Sequence, residues 1–317
     1  PSRRPVFLEG PSAAGAVGGL AVATTVQTAA RRRDRPRFPP PHGDAPVMHI
    51  VVCLKQVLDP DIPARDFKVD RDRREAVRGS ASLVTNIFCE NALELALQVA
   101  DREPGTTITA VSIGPASVED TLRKALALKA TKAVHVLAET PPHPVPGDVA
   151  RLLAAAIRRL DPIDLIMLGR ESADWGTGQT GGLLAEELEW PCVGFVDRIE
   201  RADGGTDLLL RRQTDTGWER IQATPPLVLT VTNDERNVPR IPKTRDVMLS
   251  FRQTITSWSP ADLGLPDAFT AARADAEVMS LAVPVADVQC EFVSGRSVQE
   301  KVDAFARRIL DVIRAGN

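Results

Sequence analysis

The residues of this sequence with the clearest chemical meaning form one Gly-x-Gly-x-x-Gly motif, made of Gly176, Gly178 and Gly181. Glycine lets backbone N–H groups approach a phosphate closely, and a following helix turns its positive end towards that anion. Thr177 and Thr180 add hydroxyl donors within the motif. The motif therefore predicts a phosphate-binding loop, and a glycine-rich turn that holds no ligand is the alternative.

This loop, Ser172 to Gly181, is separated from the preceding apolar run by Arg170 and the residues after it. In a dinucleotide-binding fold the glycines follow the strand at once, so the displacement argues against ordinary dinucleotide binding. No Gly-x-x-x-x-Gly-Lys-Ser/Thr sequence is present, which excludes a P-loop nucleotidase. Gly169 to Ala173 lacks the second glycine of a nucleophile elbow, and no catalytic residue of the chain's own is predicted.

Strand and helix patterns alternate ahead of the loop, and these elements must position it. Four apolar runs predict buried strands, at His49–Leu54, Thr107–Ile113, Ala133–Leu137 and Asp164–Gly169. Helices are predicted between them at 91–100, at 118–129 with Ser117 as the cap, and at 148–160. Strands that alternate with such helices form a parallel sheet whose ligands bind beyond the carboxyl ends of the strands.

The pattern changes after Cys192. Three further strands are predicted there, at 193–199, 207–212 and 227–232, with antiparallel pairing. Residues 237–266 look irregular, and a last helix is predicted from Val298 to Arg314. The predicted fold class is α/β: a parallel twisted sheet with flanking helices, of the Rossmann-like, adenine-nucleotide-binding type, with antiparallel additions and an extended C-terminal arm.

The chain divides into three predicted parts. Residues 1–47 mix Gly, Ala, Pro and Arg and are expected to be a disordered or non-native N-terminal extension. Ser2 to Leu8 and the small apolar stretch behind it imitate a twin-arginine export signal, which is the alternative for this part. Residues 48–235 are predicted to form the nucleotide-binding α/β domain, and residues 236–317 a partner-recognition segment and C-terminal arm.

The composition argues against several kinds of partner. Residues 1–47 hold seven Arg and three acids, a charge of +4, so the rest of the chain carries −7 of the total charge of −3. An acidic body of this kind disfavours a nucleic-acid partner. Aromatic residues make up 4% and Tyr is missing, so base-stacking platforms are not expected. The four Cys and four His lack metal-ligand spacing, which predicts no metal and favours a reducing cytoplasm. No apolar run reaches the roughly 18–20 residues of a transmembrane segment.

Several blocks taken together resemble the beta subunit of an electron-transfer flavoprotein. The blocks are Val51–Val57, Asn86–Glu94, Val111–Pro115 with Leu122–Leu126, Gly169–Asp174 with Gln179–Gly181, and Asn237–Arg240. Their order and spacing extend over residues 48–250, and the set is much more specific than any single block.

The resemblance implies a heterodimer with an electron-transfer flavoprotein alpha subunit that carries most of the FAD site. It implies AMP as the nucleotide of this subunit, or a second FAD in the bifurcating branch of the family. The flavin would carry electrons from acyl-CoA or related dehydrogenases, as in fatty-acid oxidation, towards a quinone oxidoreductase. Protein groups position and tune a flavin but need not react themselves, so an electron carrier fits a chain without a catalytic constellation.

The resemblance also assigns roles to residues of this sequence. Cys53 and Ile113 would lie against the adenosine, although both are also ordinary buried strand residues. Asn86 would bind the base, or would simply cap the helix after it. The phosphate would be wrapped by Gly176, Thr177, Gly178, Gln179 and Thr180. Two neighbouring residues of the matched blocks, Gly114 and Asp174, complete the expected cofactor site.

The expected partner-binding residues are Arg236, Asn237, Pro239 and Arg240. Many family members carry a leucine where Arg236 stands, and an aliphatic anchor in a dry pocket is not replaced by an unpaired Arg without cost. The usual lysine run after Met248 is missing, and Ile87 stands where the family has Pro. These departures predict that docking persists with a different partner or chemistry, unless Arg236 is only a solvated loop charge.

Two other functions remain open. In a bifurcating flavoprotein this subunit would bind a second FAD and NADH, and the stretch Val57 to Arg78 would have to make room for them. A stand-alone nucleotide-binding protein of the universal-stress type fits the core sheet. That class does not account for Asn237 to Arg240 or for the long C-terminal arm.

Overall fold

A computed structural model describes residues 47–63, 65–139, 144–160, 162–202, 205–266, 278–283 and 290–315. Of the expected extension at residues 1–47, residues 1–46 lie outside the described residues, so neither its disorder nor the export-signal alternative is tested. None of the helices in the described part of the chain combines the length and the apolar character that crossing a bilayer requires.

The strands fall into one large sheet and two small ribbons. They are β1 (His49–Leu54), β2 (Gln56–Leu58), β3 (Lys68–Asp70), β4 (Glu75–Val77), β5 (Leu83–Thr85), β6 (Thr107–Gly114), β7 (Lys132–Leu137), β8 (Leu165–Gly169), β9 (Cys192–Arg201), β10 (Leu208–Thr214), β11 (Gly217–Ala223), β12 (Leu227–Val231) and β13 (Ile255–Trp258). Nine of them form the large sheet in the order β11-β10-β9-β12-β8-β1-β6-β7-β13. The ribbons pair β2 with β5 and β3 with β4.

Helices cover both faces of this sheet. They are α1 (Ile87–Arg102), α2 (Glu119–Ala127), α3 (Pro146–Ile157), α4 (Thr180–Leu188), α5 (Thr244–Ser250) and α6 (Val298–Ala315). Alternate residues of β1 enter opposite cores: Ile50 and Val52 pack with α1 and α2, and Val51 packs with α3 and α4. A strand buried on both faces is why β1 reads as a continuous apolar run.

The predicted parallel α/β sheet is confirmed. β1 lies between β6 and β8 and pairs in parallel with both, which brings the carboxyl ends of three central strands to one edge. The loop Ser172 to Gly181 leaves this edge after β8 and enters α4.

Several local predictions are wrong. The strand at 227–232 is not antiparallel, since β12 pairs in parallel with β8 and β9. The segment 237–266 is not irregular throughout, because it contains α5 and β13, and the strand β11 was not predicted. Ser117 lies in a short 3-10 turn, where its hydroxyl donates to Gln56 Oε1 instead of capping α2.

Candidate nucleotide-binding site

A cavity of about 1040 Å³ lies at the carboxyl edge of the central strands. Eight of the ten residues predicted to bind a cofactor line it: Cys53, Asn86, Ile113, Asp174, Thr177, Gly178, Gln179 and Thr180. The other two, Gly114 and Gly176, are not among its lining residues. The sheet thus brings together residues that are more than a hundred positions apart in the chain.

One wall of the cavity is apolar and is built by two strand ends and one helix. Cys53 and Ile113 stand on neighbouring parallel strands, with Cys53 in register with Val111, and Val149 and Leu153 of α3 line the same cavity. Burial raises the pKa of the Cys53 thiol, and the nearby Cys89 raises it further. An uncharged thiol among aliphatic side chains suits a flat, weakly polar ring such as adenine.

The opposite wall is the glycine-rich loop. Gly176 and Gly178 adopt φ values of 59° and 63°, which are left-handed and strain any other L-residue. Gly181, in the first turn of α4, is packed so closely that a Cβ atom there would lie 2.3 Å from Thr230 Cγ2. The first turn of α4, whose leading N–H groups have no carbonyl acceptor within the helix, therefore brings its positive end to the cavity wall at Thr180 and Gly181.

Asn86 holds this loop in place. Its side chain is buried; Nδ2 donates to Glu171 O at 2.8 Å, and Oδ1 accepts from Ala173 N at 3.0 Å. It occupies the predicted N-cap position of α1, but its side chain forms no capping hydrogen bond and binds the loop instead. Both Nδ2 and Oδ1 of Asn86 are hydrogen-bonded to the loop backbone. The predicted contact of this side chain with a nucleotide base stays a prediction.

Lys55 is a cation of the site that sequence reasoning passed over. It follows β1 directly, and its Nζ lies 2.7 Å from Asp174 Oδ2 and donates to Ser172 Oγ at 3.2 Å. Burial would raise the pKa of Asp174, but Lys55, Ser172 and the N–H of Trp175 outweigh it and hold that pKa below its usual value. The position of Lys55 at the carboxyl end of a central strand was the signal that could have identified it.

The cavity extends beyond the phosphate loop along the segment between β2 and β5. Val57, Ile62, Phe67 and Leu83 line this extension. Val278, Leu281 and Val283 of the C-terminal arm line it as well, and Arg74 of the β3–β4 turn donates to Val278 O at 2.5 Å. Sequence reasoning made no prediction for the arm in this position.

The donor set fits an adenine nucleotide. An apolar slot, a left-handed glycine loop and the start of a nine-residue helix supply what a base and a phosphate need, and Lys55 supplies positive charge. A cavity of about 1040 Å³ lies at the upper end of the roughly 300–1,000 Å³ typical of ligand pockets, so space remains beyond a mononucleotide.

The segment predicted to bind a partner is firmly anchored. Asn237 is fully buried; its Nδ2 donates to Thr232 O at 2.8 Å, and its Oδ1 accepts from Asp234 N at 2.7 Å. The Arg240 guanidinium donates to both carboxylate oxygens of Glu94, at 2.8 and 3.0 Å. Hydrogen bonds with Glu94 raise the pKa of Arg240 although partial burial opposes them.

Other residues of this segment project outward from these anchors. The side chain of Arg236 is half-exposed and forms an ion pair with the adjacent Glu235 at 3.8 Å. Val238 is 64% exposed and Ile241 is 91% exposed, whereas Pro239 is half-buried. Asn237 and Arg240 thus anchor the segment to the fold. The accessible surface of the segment is formed by Arg236, Val238 and Ile241.

This arrangement defines the class of the protein: an α/β fold with a cavity at the carboxyl edge of its sheet and an anchored, outward-facing loop. The model of the electron transfer flavoprotein domain matches residues 78–263. The chain therefore belongs to the electron-transfer flavoprotein family, and the resemblance to its beta subunits is confirmed.

Curated relatives cover most of the chain. The caffeyl-CoA reductase-Etf complex subunit CarD of Acetobacterium woodii is 30% identical over 263 residues, which are 83% of this chain and 98% of that protein. The electron transfer flavoprotein subunit beta of Homo sapiens is 33% identical over 223 residues, 69% of this chain and 84% of the relative. The mitochondrial beta subunit of Oryza sativa subsp. indica is 33% identical over 243 residues, 75% and 90% of the two chains.

Proposed function

We propose that this chain is the beta subunit of a heterodimeric electron-transfer flavoprotein and that its cavity holds AMP. The meeting of eight predicted cofactor residues in one cavity carries this proposal. FAD would be held mainly by the alpha subunit. It would carry electrons from acyl-CoA-type dehydrogenases, in fatty-acid oxidation, to a quinone oxidoreductase, and the cytoplasm is the proposed location.

In this function the chain's own residues bind and position, and none of them reacts. The glycine loop and Lys55 would hold the phosphate, and the wall of Cys53 and Ile113 would receive the adenine. Asn86 would hold the loop in the conformation that binds the phosphate, through its hydrogen bonds to Glu171 O and Ala173 N. The surface around Arg236 would dock the electron-donating dehydrogenase.

A second candidate is a bifurcating flavoprotein subunit that holds a second FAD and accepts hydride from NADH. The observation that favours it is the extension of the cavity along Val57 to Leu83, the stretch that would have to accommodate a larger ligand. The alignment with the CarD subunit of the caffeyl-CoA reductase-Etf complex, which covers 98% of that protein, also favours this second candidate. A universal-stress-type protein gains no support from the anchored segment Asn237 to Arg240.

One experiment distinguishes these candidates. The chain is co-expressed with its alpha subunit, the purified heterodimer is heated, and the released FAD and AMP are counted by liquid chromatography. One FAD and one AMP per heterodimer supports the first proposal, and two FAD without AMP supports the second. A flavin-free monomer that holds ATP would overturn both.

A further inference from the structure

An arginine of the antiparallel strands reaches the outward-facing loop that follows β12. Arg211 of β10 donates from Nε to Asp197 Oδ1 of β9 at 2.6 Å, and its Nη2 lies 3.2 Å from Asp234 Oδ2 in the loop. On the same strand, Gln213 Nε2 donates to the carbonyl oxygen of Asn233 at 3.2 Å. The strand β10 therefore contacts both its neighbour in the sheet and the start of the loop.

Arg211 is fixed in place on the side away from the loop. The Asp197 carboxylate is fully buried, and its second oxygen, Oδ2, has no hydrogen-bond partner among the described residues. Such a carboxylate needs its cation, because a buried charge without a partner is strongly unfavourable. The guanidinium carbon also lies 5.4 Å from the centroid of the Trp218 ring on β11. Arg211 is thus held in one position, with a further N–H group directed at the loop.

Asp234 connects Arg211 to the backbone of the loop. Its Oδ1 accepts from the N–H of Arg236 at 3.1 Å, the bond to a residue two positions on that aspartate forms in turns. Its own N–H donates to Asn237 Oδ1 at 2.7 Å, and its carbonyl oxygen accepts from the N–H of Asn237 at 3.2 Å. One carboxylate therefore binds the fixed guanidinium with one oxygen and the backbone of Arg236 with the other.

We propose that Arg211, acting through Asp234, is a positioning residue that sets how Arg236 and Val238 meet the electron-donating dehydrogenase. The side chains of Arg236 and Val238 are 52% and 64% exposed, so their own burial does not hold the loop in one conformation. A loop that is ordered before the partner arrives loses less entropy on binding. The inference rests on the proposed function, because that function supplies the dehydrogenase.

The test uses the assembled heterodimer and variants that separate the loop contact from the buried ion pair. Asp234→Ala removes the carboxylate that Arg211 and the Arg236 N–H share, and it leaves the buried pair of Arg211 in place. Asp234→Asn keeps an oxygen for the Arg236 N–H but removes the charge. Glu200→Ala is the matched control, because Glu200 forms a similar pair with Arg198, at 2.6 Å, within β9 and not in the loop.

Two measurements follow the order of the loop and the docking of the partner separately. Hydrogen exchange of the backbone amides in residues 235–241 reports local opening of the loop, and exchange in α1 reports the stability of the core. A purified acyl-CoA dehydrogenase with an excess of its acyl-CoA reduces the FAD of the heterodimer. The rate of this reduction gives kcat and the KM for the heterodimer.

Loss of the shared carboxylate should loosen the loop and weaken docking. In Asp234→Ala, exchange in the loop should be about tenfold faster, while exchange in α1 stays as in the wild type. The KM for the heterodimer should rise about fivefold to tenfold with kcat unchanged, because apparent affinity falls with the fraction of loops in the docking conformation. Asp234→Asn should lie between Asp234→Ala and the wild type, and Glu200→Ala should match the wild type.

Three outcomes would contradict these expectations. Wild-type exchange in the loop of Asp234→Ala would overturn the inference, and so would faster exchange with an unchanged KM. If Asp234→Ala does not fold, the same two measurements on Asp234→Asn decide the question. A wild-type heterodimer that takes no electrons from the dehydrogenase would instead refute the proposed function, and the docking role of the loop with it.

Discussion

At the scale of single residues, the polar side chains of the candidate site form hydrogen bonds and an ion pair that hold the glycine-rich loop in place. Asn86 pairs with the backbone of Glu171 and Ala173, and Lys55 pairs with Asp174 and Ser172. Asn86 at the start of α1 and Lys55 after β1 thus both hold the loop after β8. The loop is thus held in one conformation before any nucleotide arrives, which reduces the entropy that binding must overcome.

Asn86→Ala is expected to weaken both folding and nucleotide retention. It removes two hydrogen bonds to the backbone of the loop, at Glu171 O and Ala173 N, each of which contributes about 0.5–1.5 kcal/mol. The free energy of unfolding in urea and the AMP content after purification check this. Asn233→Ala, at an exposed asparagine after β12, is the control and should behave like the wild type. Equal AMP retention in the two variants would contradict the role given to Asn86.

The Asp174 carboxylate should contribute to stability in a pH-dependent way. Its pKa is lower in the folded chain than in the unfolded chain, mainly because Lys55 outweighs the effect of burial. The contribution is therefore complete above about pH 4, the unfolded value, and is lost as pH falls through the lower folded pKa. Urea unfolding of the wild type and Asp174→Asn should give a stability difference that is constant from pH 7 to pH 5 and shrinks below pH 4. A difference that grows with acidity would contradict this sign.

At the scale of elements, the periodicity of the sequence predicts the parallel core well. Runs such as His49–Leu54 are apolar because β1 is buried on both faces, so the pattern carries the information directly. The parallel pairing of β12 with β8 and β9 could not be predicted in this way. An apolar run shows that a strand is buried, but it does not show which strands lie beside it. The contact of Asn86 with Glu171 spans 85 positions and leaves no local pattern either.

Two adjacent glycines of α4 give a matched test of the loop. Gly181→Ala places a methyl group 2.3 Å from Thr230 Cγ2, so α4 must shift, at a cost of about 1–3 kcal/mol, and nucleotide affinity should fall. Gly182→Ala meets nothing within 4 Å and should stabilise the helix by about 0.5–1 kcal/mol. Thermal unfolding and AMP titration of both variants measure the contrast. Two variants that lose affinity alike would show that helix propensity, and not the close approach to β12, governs the site.

At the scale of the whole molecule, the C-terminal helix α6 has an apolar face that the described chain does not cover. Seven large apolar residues of α6 are exposed, and five of them recur every three or four positions: Val298, Val302, Phe305, Ile309 and Val312. That spacing aligns them along one side of the helix. A stripe of this kind is a surface for another helix or subunit, and the alpha subunit of the proposed heterodimer is the expected partner.

Replacing the centre of this stripe should therefore weaken assembly and leave the nucleotide site unaffected. Phe305→Gln removes a ring that is 55% exposed, and a lost aromatic anchor costs about 2 kcal/mol or more, so association with the alpha subunit should fall by about 30-fold. Arg307→Gln, an exposed charge two residues away, is the control and should associate normally. Subunit affinity is measured by sedimentation, and hydrogen exchange of α6 should slow when the wild-type heterodimer forms. Normal assembly of Phe305→Gln with unprotected amides in α6 would place the alpha subunit elsewhere on the chain.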